Sequence, residues 1–355
     1  MTALDLTRKL CTIPSVTADK AAVNFCSDFV ANQLKKQGLH VRVERCNGYR
    51  TVYASTRPGK KCDILLNAHL DVVTAPAAQF KPQLKGNRLY GRGTSDCKGN
   101  AAVMMNLLPR LKGKANVGAI FTTDEETGGH TTADMVKKGY AGKLTLVLDG
   151  NFDRVITAQK GILSLTLTAK GRTCHASAPW RGDNALDRLI KGYLRIKNLF
   201  PKVSERDSWH RTAAATLLHA GEARNQVPGS AEMSLNVRFT DADDPRKLLS
   251  GIRKVSGLAV KADLVCPFVR IRDDHPHVQL LLKSLRRRMN PALRLGKMNG
   301  ATDARHFRHS GGAMAIFGLK GYGAHAADEW LDVTSIPKLE EALYGFITRD
   351  WDIKR

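Results

Sequence analysis

Carboxylate and imidazole side chains recur at positions where an apolar run gives way to turn residues. These positions are His69, Asp71, Asp96, Glu125, Glu126, Asp149 and His325. Oxygen and imidazole ligands without cysteine suit zinc, cobalt or manganese. Four of these endings lie in the first half of the chain, which indicates a parallel sheet with a site along the carboxyl ends of its strands.

Three consecutive acids, at positions 124–126, follow the apolar run at 117–121. Adjacent carboxylates repel one another and lose solvation unless cations compensate them. Such a pair can divide two roles, with one carboxylate binding metal and the other facing the substrate as a general base. A solvated acidic turn is the alternative explanation, and it fits poorly with the apolar run.

The spacing of His69 and Asp71 suits a metal ligand and its supporting group. Residues two apart on a strand face the same way, so Asp71 can accept a hydrogen bond from one imidazole nitrogen while the other binds metal. Asp96 lies in the loop GRGTSDCKG, and its two oxygens could bridge two ions. Taken singly, each residue has a structural explanation, such as a helix N-cap for Asp96.

The elements that must position these residues show two different patterns of predicted helices and strands. Residues 1–160 and 274–355 alternate helical patterns with short β-rich runs, which predicts an α/β domain with a mostly parallel sheet. Residues 161–273 follow the order β-α-β-β-α-β, which is typical of a ferredoxin-like α+β unit. We therefore predict a discontinuous metal-binding domain with a smaller domain inserted into it.

The chain is strongly basic, with 56 Lys and Arg against 33 Asp and Glu and a net charge of +23. This charge is diffuse, and the aromatic residues, 6% of the total, do not interleave with the basic ones. Nucleic-acid binding is therefore not expected, although the charge would draw anionic substrates to the site.

Bulk features also bear on location. No apolar run approaches the ~18 residues of a membrane span, and the amino terminus lacks the apolar core of a signal peptide. Seven cysteines without C-x-x-C spacing argue against a disulfide framework. We therefore predict a cytoplasmic protein that does not enter a membrane.

The motifs HLDVV, GRGTSDCKG and DEETGG resemble those of the co-catalytic di-zinc metallopeptidase and deacylase family. That family includes succinyl-diaminopimelate desuccinylase, acetylornithine deacetylase, aminoacylase, glutamate carboxypeptidase and dipeptidases. The resemblance covers essentially the whole chain. It implies a catalytic domain of zinc-peptidase type, an inserted lid or dimerisation domain, and two divalent metal ions, with zinc favoured over cobalt or manganese.

The resemblance also implies a role for each of the first residues named. His69 and Asp149 would hold one metal, Glu126 and His325 the other, and Asp96 would bridge them. Glu125 would be the general base, with Asp71 as the partner of His69.

The inserted segment carries its own matches. GRTCHASAPWRGDNAL resembles a family signature in which His175 would reach the active site of a partner subunit, so the resemblance implies a homodimer. Asn225 in ARNQVP, Arg238 in LNVRF and Thr302 in GATDAR resemble substrate-binding positions. For all four a structural role is the alternative. Asn184, for example, could cap its helix.

The sequence predicts a metal-dependent hydrolase that cleaves the amide bond of a small anionic N-acyl amino acid. Asp149 departs from the glutamate usual in the family's deacylases and carboxypeptidases and is more typical of its aminopeptidases and dipeptidases. The alternative is a metallo-dipeptidase, or an aminopeptidase or carboxypeptidase of the same family. A basic, metal-bound binding protein that has lost catalysis is a more remote one, because every expected ligand and the base are present.

Overall fold

The computed structural model describes residues 1–150 and 152–351. The helices are α1 Ala3–Cys11, α2 Lys20–Lys36, α3 Gly99–Leu111, α4 His130–Lys137, α5 Ala185–Lys197, α6 Pro245–Ser256, α7 Pro276–Arg288, α8 Ala304–Phe307 and α9 Ser335–Gly345. The strands are β1 His40–Cys46, β2 Tyr49–Ser55, β3 Lys61–His69, β4 Gln83–Lys85, β5 Arg88–Tyr90, β6 Val117–Thr122, β7 Ala141–Val147, β8 Arg154–Gln159, β9 Gly161–Lys170, β10 Thr212–Ala220, β11 Ser230–Phe239, β12 Ala259–Cys266, β13 Val269–Arg270, β14 Arg294–Met298, β15 Ala313–Ile316, β16 Gly321–Tyr322 and β17 Trp330–Asp332. Among the described residues, no helix combines the length and hydropathy that a membrane crossing requires.

The chain folds into two compact units. The first comprises Met1–Thr157, Ile271–Gly296 and the described residues from Thr302 onward. The second comprises Ala158–Arg270 and Lys297–Ala301.

The main sheet of the first unit includes, in order, β1, β2, β6, β3, β7, β15 and β8. Its centre is parallel, because β3 pairs in parallel with both β6 and β7, and β15 pairs in parallel with β7. Every residue of β6 and all but the first of β3 are buried, as expected for parallel strands covered on both faces. The predicted α/β class with a mostly parallel sheet is confirmed.

Helix α3 anchors the segment that carries Asp96. It contacts β3, β6, α1 and α9, and most of its residues are buried. Just before it, the buried Lys98 donates from Nζ to the carbonyl oxygens of Leu10 at 3.1 Å and Ile13 at 2.7 Å. Leu10 lies in the last turn of α1, and Ile13 follows the helix by two residues. The ammonium therefore ties the end of α1 to the Asp96 loop.

A small antiparallel sheet in the same unit brings two distant loops together. Its strand order is β16, β17, β5 and β4. Trp330 pairs with Tyr90 in β5, and Leu331 pairs with Leu89. The GRGTSD loop follows β5 and the His325 loop precedes β17, so this pairing places the two loops side by side.

The second unit is an antiparallel sheet with two helices. Its strand order is β10, β11, β9 and β12, and the chain order β9, α5, β10, β11, α6, β12 is the one predicted. Alternate residues of β9 are buried, which is the period-2 pattern of a strand with one face on a core. That core includes Leu163, Leu165 and Leu167 from β9, Leu189 and Ile196 from α5, and Leu248 and Ile252 from α6. The α+β class predicted for this segment is confirmed.

Candidate metal centre

Three parallel strands deliver most of the expected ligands to one edge of the main sheet. The register pairs His69 at the end of β3 with Thr122 at the end of β6, and Asn67 with Val147 at the end of β7. The carboxyl ends of the strands are therefore level. Asp71, Glu125, Glu126 and Asp149 follow within a few residues of these ends. This is the edge where open α/β sheets place their ligand sites.

One potential metal-binding group contains His69 and Asp149. Their ligand atoms, together with the Cys97 sulfur, all lie within 4.8 Å of one another. His69 and Cys97 are buried and Asp149 is half-buried. The structure thus brings together the two residues expected to hold one ion and adds a thiol that the motifs did not single out.

A second potential metal-binding group contains Asp96, Glu126 and His325, again with ligand atoms within 4.8 Å of one another. His325 Nε2 lies 2.9 Å from Glu126 Oε2 and 3.3 Å from Asp96 Oδ2. The other oxygen of Asp96, Oδ1, lies 2.9 Å from His69 Nε2. Asp96 therefore faces one histidine of each group with a separate oxygen, which is the disposition a bridging carboxylate needs. It does not cap α3, because no side-chain hydrogen bond caps that helix.

Burial and neighbouring negative charges raise the pKa values of three acidic residues in the cluster. Burial, together with the charge of Asp96, raises the pKa of Asp149 to about 7. Burial also raises the pKa of Glu126, and it raises that of Glu125 well above its usual range, with Asp303 adding to the effect. Carboxylates that hold one another's pKa up in this way are stabilised by nearby cations. The two imidazoles and the carboxylate oxygens suit zinc, cobalt or manganese, so these residues fit the two divalent ions that the resemblance implies.

Asp71 supports both the imidazole and the acidic loop. Its backbone carbonyl lies 2.9 Å from His69 Nδ1, and its Oδ1 lies 3.5 Å from the same nitrogen. A donor role for Nδ1 leaves Nε2 available to a metal. The carboxylate also accepts the backbone N–H groups of Glu125 at 3.2 Å and Glu126 at 3.3 Å, and the hydroxyl of Thr17 at 2.8 Å. One buried side chain thus fixes residues of both groups.

Glu125 is paired with a buried cation. Its Oε1 lies 3.2 Å from Arg305 Nη1, and both side chains are largely buried. The same nitrogen donates to the carbonyl oxygen of Thr302 at 2.9 Å. Arg305 is therefore a neighbour of the expected base that sequence reasoning did not single out, although it ends the motif GATDAR.

The acidic loop is also held from its far end, at the start of α4. Gly129 has φ +65°, and a Cβ atom there would lie 2.2 Å from Asp303 Oδ1. The other oxygen of Asp303, Oδ2, accepts the hydroxyls of Thr122 at 2.7 Å and Thr132 at 2.6 Å. Both the backbone conformation and the close approach require glycine at this position.

Three further candidates, His175, Asn225 and Arg238, lie in the second unit. His175 is exposed, with Nδ1 2.7 Å from Ser177 Oγ, and it forms an isolated bridge with Gln226. The neighbouring Ala176 N–H donates to the Asn225 carbonyl at 2.8 Å, so the second unit brings His175 and Asn225 together. On β11, the Arg238 Nε donates to Asn236 Oδ1 at 2.9 Å.

For Thr302 and Asn184 a structural role was the alternative, and both side chains accept hydrogen bonds from nearby backbone N–H groups. Thr302, in the first unit, is buried, and its hydroxyl accepts the N–H of Ala304 at 3.2 Å. The Asn184 side chain accepts the N–H groups of Leu186 and Asp187, so it caps α5 as the structural alternative predicted.

The comparisons with known proteins identify the family of the chain and several relatives. The sequence model of peptidase family M20/M25/M40 matches residues 65–349. The succinyl-diaminopimelate desuccinylase of Dechloromonas aromatica (strain RCB) is 27% identical over 372 residues, which cover 97% of this chain and 97% of that protein. Carboxypeptidase G2 of Pseudomonas sp. (strain RS-16) is 26% identical over 358 residues, which cover 93% of this chain and 85% of that protein. The chain spans less than two thirds of the length of several Staphylococcus aureus relatives that it matches.

The fold has close counterparts among solved structures. A tripeptidase from Staphylococcus aureus subsp. aureus Mu50 superposes with a TM-score of 0.82 at 20% identity, over 98% of this chain and 97% of that one. At this identity the likeness describes the fold alone.

Proposed function

We propose that this chain, which belongs to peptidase family M20/M25/M40, hydrolyses the amide bond of a small anionic N-acyl amino acid. The observation that carries the proposal is that Asp96 belongs to one potential metal-binding group and contacts His69 of the other. Within this proposal the first unit is the catalytic domain.

The ligand assignment follows the two groups. His69 and Asp149 would hold one ion, Glu126 and His325 would hold the other, and Asp96 would bind both. Divalent cations at these positions, with zinc favoured and cobalt or manganese as alternatives, would supply Lewis-acid activation of water and of the amide carbonyl. Asp71 keeps the His69 imidazole oriented through contacts with the Nδ1 atom of that histidine.

Glu125 is the general base of the proposed reaction. Burial raises the pKa of its carboxyl group, which makes the carboxylate a stronger proton acceptor. It takes a proton from the attacking water and passes it to the leaving nitrogen. The contact with Arg305 holds one oxygen of Glu125 in place, and the charge of Arg305 partly offsets the rise in the pKa of Glu125.

His175 would act across a homodimer. Its imidazole is exposed in the second unit, where it would be available to donate a hydrogen bond to the oxyanion that develops in a partner subunit. The same unit offers an exposed edge strand, β10, and the exposed apolar residues Ile190 and Leu194 on α5. These features support a dimer formed through the second unit.

The substrate class rests on charge and on the relatives. Asn225, Arg238 and Thr302 are the proposed substrate contacts, and an arginine suits a free carboxylate. A relative matched along nearly its whole length is named a desuccinylase. The seven cysteines are free, which fits the reducing cytoplasm proposed for the protein.

A dipeptide is the second candidate substrate, and Asp149 favours it. Hydrolysis of a mixed panel by the zinc- or cobalt-loaded protein separates the two, with Glu125→Ala as the control. The panel holds N-acetyl and N-succinyl amino acids beside unblocked dipeptides. Turnover of the blocked substrates supports the deacylase, and turnover confined to dipeptides contradicts it. A protein that binds metal but hydrolyses no panel member would favour the non-catalytic alternative.

A further inference from the structure

A buried carboxylate organises the loop that carries Asp96. The Glu329 side chain is about 1% exposed. Its Oε2 accepts Arg92 Nη1 at 2.7 Å and the Gly93 N–H at 2.9 Å. Its Oε1 accepts the N–H groups of Ser95 at 2.9 Å and Asp96 at 3.1 Å. Four donors from one loop therefore converge on one side chain that is more than 230 residues away in sequence.

The Arg92 guanidinium extends this network to the other loop. Its Nη2 donates to the carbonyl oxygens of His325 and Ala326, each at 3.1 Å. His325 has φ +67°, a left-handed conformation that residues with a side chain rarely adopt. The hydrogen bond to its carbonyl holds the backbone in this conformation and so sets the direction in which the imidazole points.

We propose that Arg92 and Glu329 are positioning residues for the group formed by Asp96, Glu126 and His325, and that they determine its affinity for the second metal ion. The inference rests on the proposed function and deepens it. Neither residue contributes an atom to either potential metal-binding group among the described residues. They act through the backbone of Asp96 and the backbone of His325.

The chemistry of Glu329 predicts the effect of a conservative change. A carboxylate has two acceptor oxygens, each of which receives two donors here, whereas glutamine has one acceptor and one amide nitrogen. In either orientation, the Glu329→Gln variant sets an N–H group against N–H donors of the loop. We expect Asp96 to move and the second ion to bind about 10- to 100-fold more weakly, the range typical for the loss of a group that supports a metal ligand.

The test is a cobalt(II) titration of the full chain, followed by visible absorption and by competition with a chelator. Glu340→Gln is the matched control, because Glu340 is also a largely buried glutamate in the first unit. It accepts Asn106 Nδ2 at 2.8 Å and pairs with Arg110 on α3, and neither partner belongs to the potential metal-binding groups. The control therefore loses a comparable buried charge without removing a hydrogen bond to the Asp96 loop.

Arg92→Lys is the second variant, for the case in which Glu329→Gln does not fold. Lysine keeps the positive charge beside Glu329, but one ammonium group cannot reproduce the planar guanidinium that reaches Glu329 and two carbonyl oxygens together. We expect weaker binding of the second ion and a changed cobalt spectrum in this variant also.

The outcomes separate the two proposals. Weaker second-ion binding in Glu329→Gln or Arg92→Lys, with wild-type binding in Glu340→Gln, supports the positioning role. Wild-type affinity and spectrum in both variants overturn it, as does an equal loss in the control. A wild-type chain that binds no cobalt overturns the proposed function instead.

Discussion

The groups around Glu125 have opposing effects on the pKa of its carboxyl group. Burial and the neighbouring Asp303 raise its pKa, while His69 and Arg305 lower it. The general base that we propose needs this balance, since it must be anionic before water attacks and basic enough to take the proton.

Replacing Glu125 with alanine should therefore separate catalysis from metal binding. We expect turnover to fall by about 10²- to 10⁴-fold, the usual contribution of a general base, while the protein retains two metal equivalents. Turnover of the panel substrates and elemental analysis of the same sample measure the two quantities. Near wild-type turnover would remove Glu125 from this role.

Cys97 lies close enough to the first group to compete as a ligand. Burial raises the pKa of its thiol to about 12, and its sulfur already accepts the His69 N–H at 3.1 Å. We therefore expect the sulfur to hold the His69 backbone and not to bind metal. Cys97→Ser should keep two metal equivalents and show the wild-type cobalt spectrum. Loss of one equivalent would identify Cys97 as a ligand.

At the scale of elements, the loops at the sheet edge depend on how their ends are fixed. Gly129 begins α4 with φ +65°, and a Cβ atom there would meet Asp303. Gly139 follows α4 with φ +88°, and a Cβ atom there would have no neighbour within 4 Å. The two glycines share the backbone requirement and differ in the space around them.

Gly129→Ala and Gly139→Ala therefore form a matched pair. Each substitution places alanine in a left-handed conformation, which costs about 1–2 kcal/mol. Gly129→Ala also meets the Asp303 carboxylate and should lose about 1–3 kcal/mol more through overpacking. Urea denaturation measures the free energies of unfolding, and turnover should fall only in Gly129→Ala. Equal losses in both variants would contradict the tight contact.

The ion pairs of Asp350 fix the segment after α9 to the end of α7. Burial opposes ionisation, but the hydrogen bonds from Arg288, Ser284 and Arg287 lower the pKa of Asp350 to about 2. A lowered carboxyl pKa stabilises the folded state above the ordinary value near 4, and this stabilisation is lost as the pH falls through about 2.

Asp350→Asn should therefore lower the free energy of unfolding by about 1–2 kcal/mol at neutral pH. The difference from the wild type should stay constant down to about pH 5 and narrow below about pH 4. Urea denaturation across this range measures it. A difference that persists unchanged at the lowest pH would assign the effect to packing and not to charge.

The sequence was informative where a residue's position in an element decides where in the fold it lies. His69 and Asp149 were predictable because apolar strand patterns end at or just before them, and parallel strands carry their ends to one edge. Arg92 and Glu329 were not, because their contact joins residues 237 positions apart through loops that have no periodic pattern. The motif GRGTSDCKG contained Arg92, but nothing in the sequence indicated its partner.

At the scale of the whole molecule, the second unit leaves the β10 edge of its sheet exposed. Strand β10 is exposed from Ala214 to Ala220, and Leu217 and Leu218 are 59% and 50% exposed. An exposed edge with apolar side chains is a template for pairing with another chain. The net charge of +23 opposes association of two copies, so the proposed dimer should strengthen as salt screens this repulsion.

Leu218→Lys tests the proposed dimer, with Val265→Lys as its control. Val265 is 55% exposed on β12, the opposite edge of the same sheet, so both variants add one charge at a similar site. We expect Leu218→Lys to weaken self-association at least about tenfold in analytical ultracentrifugation, because lysine on a pairing edge disfavours strand addition. Turnover should fall with it, since His175 would then lack a partner active site, while metal content stays at two equivalents. A wild-type protein that is monomeric and fully active would contradict both the dimer and the role of His175.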